Sequence, residues 1–246
     1  MMKLVSILSI SASLFRCERE TAAGTVTDIC ACTNPVFITS NTNGGWNNGG
    51  YYVHNNMWHA ASGETLYACA YNNWHVTANY PETTDVKTYP NVHKDLNNLD
   101  GVPLTNYHTI SSTFAATTPH VGIYDVAYDI WLDGVGWGRG TTEFMIWTEN
   151  FKQVPLGSIQ ARPAFDGVSY NAYHYTRGDA NVVTLVPVRV MTSGRLDLKA
   201  MFDWAIGQGW MPASPTVNQI CYGVEICSTA NLPATFYFTD FSVTMN

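Results

Sequence analysis

The chain has 246 residues, with 46% apolar, 13% aromatic and only 13% charged side chains. Charge at about half the usual ~25% argues against disorder, and the length suits one large domain or two small ones with a substantial core. Twelve Lys plus Arg against nineteen Asp plus Glu leave a net charge of −7, and without a basic stripe to meet a phosphate backbone, nucleic acid is not an expected partner.

In chain order, Lys3 precedes an apolar run from Leu4 to Phe15, which reads as a secretory signal too short to anchor. The small residues Ala22, Ala23 and Gly24 follow a charged stretch from Arg16 to Glu20. Residues 1–24 are therefore expected to be a signal peptide or an unstructured N-terminal segment, and residues 25–246 a single secreted domain. Cys17 suggests lipid attachment, but Arg16 before it does not suit that processing. No later run reaches the about 18 apolar residues that a spanning helix needs.

From residue 35 onward, short runs rich in Val, Ile, Tyr, Phe, Trp and Thr alternate with turn signals. Strands are predicted at Val36–Thr39, Tyr51–Val53, Asn73–Val76, Asp125–Leu132, Glu143–Trp147, Val182–Val188 and Phe236–Val243. Asn43-Gly44-Gly45, Asn48-Gly49-Gly50, Asp133-Gly134 and Asp166-Gly167 supply turns. Many short strands with frequent turns indicate an antiparallel sandwich or barrel. One segment differs: Leu198, Met201, Phe202, Ala205 and Ile206 fall at helical spacing. Thr192-Ser193-Gly194 lead into this predicted helix and Gly207 and Gly209 can end it, so a single helix should cover the back of a sheet.

Six cysteines permit up to three bridges in an exported protein, but none of them forms a C-x-x-C metal pair. The pairing expected is Cys30 or Cys32 with Cys69. Cys221 and Cys227 are six apart, about 20 Å along one extended strand at ~3.3 Å per residue, too far to bridge unless the strand breaks. The histidines show no metal-binding spacing, so neither a metal nor an organic cofactor is expected. Gly134-Val135-Gly136-Trp137-Gly138 lacks the strand–helix setting of a dinucleotide site.

Because charge is scarce, carboxylates inside apolar strands are informative, since burying one without a partner costs several kcal/mol. Asp129, Glu143 and Glu225 stand out. Strand alternation puts Glu143, Met145 and Trp147 on one face, Asp129 beside Trp131, and Gly223 beside Glu225. Paired carboxylates beside aromatic platforms are what glycoside hydrolysis uses, and in its retaining form the carboxyl groups lie about 5–5.5 Å apart.

Several motifs together resemble glycoside hydrolase family 12, the β-jelly-roll endoglucanases and xyloglucanases, over roughly residues 45 to 246. They are Asn55-Asn56-Met57-Trp58, Val86-Lys87-Thr88-Tyr89-Pro90-Asn91, Val126-Ala127-Tyr128-Asp129, Glu143-Phe144-Met145-Ile146-Trp147, Gly223-Val224-Glu225, Leu196-Asp197-Leu198-Lys199 and Asp240-Phe241-Ser242-Val243. The resemblance implies an all-β, two-sheet antiparallel β-jelly-roll sandwich with a concave substrate cleft and one α-helix on its convex side. It further implies Glu143 as nucleophile, Glu225 as acid/base, and Asp129 hydrogen-bonded to Glu143.

Asn56, Trp58, Trp74, Met145, Trp147 and Pro155 would contact substrate. The implied activity is that of a retaining endo-β-1,4-glucanase, monomeric and without cofactor, acting on a β-glucan polysaccharide. The alternatives are a xyloglucan-specific enzyme and a non-catalytic β-glucan-binding jelly roll. Five positions in three places depart from the family pattern. His59 replaces a usual Gly, Thr77 and Ala78 replace a fungal Asp-Trp, and Cys221 and Cys227 flank Glu225, where strict alternation puts both on the cleft face.

Overall fold

A computed structural model describes residues 31–246; the expected signal segment, Cys17 and Cys30 lie outside them. In chain order the strands are β1 (Phe37–Thr39), β2 (Gly45–Asn48), β3 (Tyr51–His54), β4 (Glu64–Ala70), β5 (Asn73–Ala78) and β6 (Asn91–Asp95). There follow β7 (Val102–Pro103), β8 (Ile110–Thr117), β9 (Ile123–Leu132), β10 (Thr142–Phe151), β11 (Ser158–Ala161) and β12 (Ala164–Phe165). Next come β13 (Val168–Arg177), β14 (Ala180–Pro187), β15 (Ser193–Asp197), a helix α1 (Leu198–Gly207), β16 (Thr216–Ser228) and β17 (Ala234–Met245).

The strands form two sheets. One is ordered β1-β4-β5-β17-β8-β15; the larger runs β11-β13-β14-β10-β9-β16-β6-β3-β2, with β12 on β13 and β7 on β16. Pairing between these strands is antiparallel except for β10 with β14, which run parallel. The jelly-roll sandwich is as expected, with that one parallel exception.

Period-two patterning decides which side of each strand is buried. On β9, Tyr124, Val126, Tyr128, Ile130 and Leu132 enter the core between the sheets, where they join Leu66, Phe144, Tyr222, Phe236 and Phe241. Their alternates Asp125, Ala127, Asp129 and Trp131 face the other way, and of these Asp129 and Trp131 line a cleft. The same rule corrects one expectation. Trp74 lies on β5 of the smaller sheet, 1% exposed, its ring stacked on Phe238 at 4.1 Å. It is a core residue and reaches no substrate. Its neighbour His75 takes the outward position, between Tyr67 and Tyr237.

The helix begins two residues later than its motif, because Ser193–Asp197 pairs with β8. Asp197 caps it by accepting a hydrogen bond from the Ala200 N–H at 3.0 Å. Leu198, Met201, Phe202 and Ala205 are buried, and Phe202 meets Phe144 edge-on at 5.1 Å, on the side of β10 away from the cleft. Cys32 and Cys69 form a disulfide, with Cα atoms 5.5 Å apart. Cys221 and Cys227 are both free and buried. Among the described residues no helix is long and apolar enough to cross a membrane.

Candidate active site

The register of the larger sheet lays the cleft out in rows across the strands. Two rows make the floor: Met145, Asp129, Cys221, His93 and Tyr52, then Trp147, Ala127, Gly223, Asn91 and His54. One outer row holds Glu143, Trp131, Gln219 and Asp95. On the opposite side, Glu225 pairs with Asp125. A polymer lying across the strands therefore runs over the floor with Glu143 on one flank and Glu225 on the other. The cleft encloses about 1560 Å³, more than the ~300–1,000 Å³ usual for small-molecule pockets.

Met145 and Trp147 form a small apolar cluster of their own with Ala127 and Val182. The indole N–H of Trp147 and Oδ1 of Asp129 are buried with no protein partner. Polar groups held this way on an apolar floor suit a hydroxylated ligand. Gly223 keeps the floor flat beside Glu225: a Cβ there would stand 2.1 Å from the Pro90 carbonyl oxygen.

Four carboxyl groups gather here, and among the described residues none is in an ion pair. Burial therefore dominates their titration. It raises Asp125 and Asp129 well above the ordinary carboxyl range, with neighbouring negative charge adding to the shift. Glu225 is raised to about 7, first by burial and then by repulsion from Glu143, while Asp125 pulls it back down. Glu143 is raised by burial and lowered by the indole of Trp137. Both aspartic acids are thus pushed toward their protonated forms, and Glu225, raised to about 7, is poised to give up its proton near neutral pH.

The expected hydrogen bond from Asp129 to Glu143 is not formed. Glu143 Oε2 instead accepts one from the indole N–H of Trp137, in the β9–β10 loop. Asp129 stands one row away, where the charge of Glu143 raises it through space.

Asn56 and Trp58 line the cleft on the Glu225 side, in the loop after β3. The backbone there is left-handed at Asn56 (φ 43°), and the Tyr89 N–H donates to its carbonyl at 3.0 Å. Trp58 is 51% exposed. His59 sets its ring 4.9 Å from that indole and is tied at Nδ1 to the Val86 carbonyl at 2.9 Å, so it props Trp58 against the lip. Pro155 is half-buried in the loop after β10, and its neighbours Val154 and Leu156 line the cleft. Cys221 lies on the floor opposite Asp129. At Cys227 the register slips between Ile226 and Ser228, which breaks strict alternation.

Sequence reasoning missed Asp125, although it lies four residues before Asp129 on the same face of β9 and the alternation could have found it. It also missed Trp137, for which no local signal exists. His54 and His93 were missed as well. Burial lowers both, His54 to about 4, so they present neutral imidazoles at the β3 end of the floor.

The sequence model described as glycosyl hydrolase family 12 matches residues 49–246. The chain belongs to this family. Family 12 also contains its similar structures. The xyloglucanase domain of NopAA from Sinorhizobium fredii, in complex with cellobiose, is 26% identical with a TM-score of 0.73, covering 86% of this chain and 100% of that one. Endoglucanase Cel12A from Rhodothermus marinus is 23% identical with a TM-score of 0.77, over 86% of this chain and 99% of that one. A family 12 xyloglucanase from Bacillus licheniformis is 22% identical with a TM-score of 0.75, over 85% and 100%. A curated relative from Phytophthora nicotianae, named inactive glycoside hydrolase XLP1, is 23% identical over 205 residues, covering 76% of this chain and 84% of its own.

Proposed function

We propose that this family 12 protein is a retaining endo-β-1,4-glucanase that hydrolyses cellulose-like or mixed-linkage β-glucan. The observation that carries the reading is the placement of Glu143 and Glu225 on opposite flanks of an open floor, with Glu225 raised to about 7. In the first step Glu225 gives its proton to the glycosidic oxygen. A carboxylate oxygen of Glu143 bonds to the anomeric carbon, and the bonding pair departs with the leaving oxygen. In the second step Glu225, now a carboxylate, takes a proton from water, whose oxygen displaces Glu143. Asp129, one row in, is pushed by burial and by the charge of Glu143 toward its protonated form. Asn56 and Trp58 would hold the sugar on the non-reducing side, over a floor of Met145 and Trp147.

A relative named as inactive favours a second reading, a β-glucan binder without turnover. Retention of both glutamates speaks for the enzyme, because binding alone does not need them. Xyloglucan preference is the further alternative. Exposed apolar side chains edge both lips, Leu99, Val135 and Trp137 on the Glu143 side and Trp58, Val154 and Leu156 on the other, which suits either a bare or a branched chain. A reducing-sugar assay on barley β-glucan, carboxymethyl cellulose and xyloglucan decides among the readings. Glu143→Gln or Glu225→Gln should remove at least about 10³-fold of the rate while the protein still folds. Turnover close to wild type in either variant would end the enzyme assignment at those residues, and release of sugar from none of the polymers would leave the binder.

A further inference from the structure

We propose that Trp137 is a positioning residue for the nucleophile: its indole N–H holds one oxygen of Glu143, and its open ring face receives the sugar bound on that flank. The inference rests on the reading of Glu143 as nucleophile given above.

Trp137 joins two facts that do not usually go together. It donates a hydrogen bond to the Glu143 carboxylate, yet it is 59% exposed. Its ring is therefore not packed into the protein, and with Val135 and Gly136 it lines the cleft. A large apolar ring kept in water beside a reacting carboxylate is placed for a ligand and contributes little to stability.

The loop that carries it is built to hold that position. The Gly138 N–H donates to Thr141 Oγ1 at 2.9 Å, and the same hydroxyl lies 3.0 Å from the Gly136 carbonyl and 2.8 Å from that of Gly138. At the base of the loop, the Gly134 N–H donates to Asn218 Oδ1 at 3.0 Å. Gly136 (φ +84°) and Gly140 (φ +88°) have open space where a Cβ would stand. They are glycines for their left-handed backbone, not for lack of room. Thr141 and Asn218 thus fasten an otherwise permissive turn with the indole over Glu143.

The consequence is chemical. A free carboxylate can attack through either oxygen. With Oε2 taken by the indole, Oε1 is the one aimed at the anomeric carbon. In the glycosyl ester, Oε1 carries the sugar and Oε2 becomes the carbonyl oxygen, on which the same N–H still donates. A donor to the charged form also favours ionisation against the effect of burial.

The test compares the wild type with Trp137→Phe, which keeps a ring and loses the N–H, and Trp137→Ala, which loses both. A carboxyl ¹³C NMR titration of Glu143 and the kcat/KM pH profile on cellotetraose are measured for each. Loss of the donor should raise the Glu143 pKa and the acidic limb of the profile together by about one unit. In Trp137→Phe, kcat should fall about tenfold with KM little changed, because the interaction acts on the reacting group. In Trp137→Ala, KM should rise a further threefold or more, roughly the worth of a lost ring contact. A Glu143 titration in Trp137→Phe within 0.2 unit of wild type (about the precision of such a titration), or equal KM values in the two variants, would overturn the proposal while leaving an active enzyme. A wild type that hydrolyses no glucan would instead remove the nucleophile reading, and the proposal with it.

Discussion

Glu225 is held at about 7 by two separable effects, burial and the negative charge of Glu143. Glu143→Gln removes the charge and keeps the shape. Retaining pairs lie about 5–5.5 Å apart, and two unit charges at about 5.5 Å in an effective dielectric constant of about 20 repel by 332/(20 × 5.5), or about 3 kcal/mol. That is about 2 pKa units. Burial is unchanged, so Glu225 should fall from about 7 toward about 5 without reaching its ordinary 4.5. Asp125, itself raised well above the ordinary carboxyl range by burial, is the same in both proteins. The assay is a ¹³C carboxyl titration of protein labelled at glutamate Cδ, from about pH 3 to 9, with Glu225→Gln assigning the resonance. A Glu225 pKa that moves by less than about 0.5 unit would mean that the two groups do not share one gap. Double displacement by this pair would then be refuted.

Trp74→Phe should lower stability by roughly 1–3 kcal/mol, read as an earlier urea midpoint, and leave KM for glucan unchanged, because the indole packs on Phe238 in the core. A raised KM at unchanged stability would return Trp74 to the cleft. Glu64, buried under the Asn56 loop, accepts hydrogen bonds from the hydroxyls of Thr88 and Tyr80 and is raised to about 8. Its folded-state pKa exceeds the unfolded value of 4.5, so the folded chain binds the extra proton between the two. Its contribution is whole below about 4.5 and is lost as pH rises toward about 8. Glu64→Gln should therefore gain on wild type as pH rises, by several kcal/mol in total. An equal gap between the two proteins at about pH 5 and about pH 8.5, in urea unfolding, would contradict this. Cys32→Ser opens a loop spanning a sequence separation of 37, which should cost about 4 kcal/mol of stability with kcat unaffected at 25 °C; an unchanged melting temperature would count against a formed bridge.

Local pattern alone makes much of the fold legible. Alternation along β9 and β10 separates Tyr128, Ile130, Phe144 and Ile146 from Asp129, Glu143, Met145 and Trp147, and both sets lie where period two puts them. The helix is equally plain, because its apolar stripe is local. Trp74 misled because a Trp-His motif does not say which sheet its strand joins. The strand alternates as expected, but the face that carries the indole is turned inward.

What the sequence by itself determined is the chemistry available: two glutamates and an aspartate on strand faces that also carry Trp and Met, in a chain too poor in cations to neutralise them. What only the tertiary structure decided is how those groups act on one another. The register of β10, β9 and β16 sets Glu143 and Glu225 on opposite flanks of the floor. It brings in Asp125 as a fourth carboxyl group, and a loop tied down by Thr141 and Asn218 gives Glu143 its hydrogen bond from Trp137 in place of Asp129. The physical reason is range. Alternation depends on neighbours along the chain, whereas repulsion and burial depend on distances across strands that the order of residues does not specify.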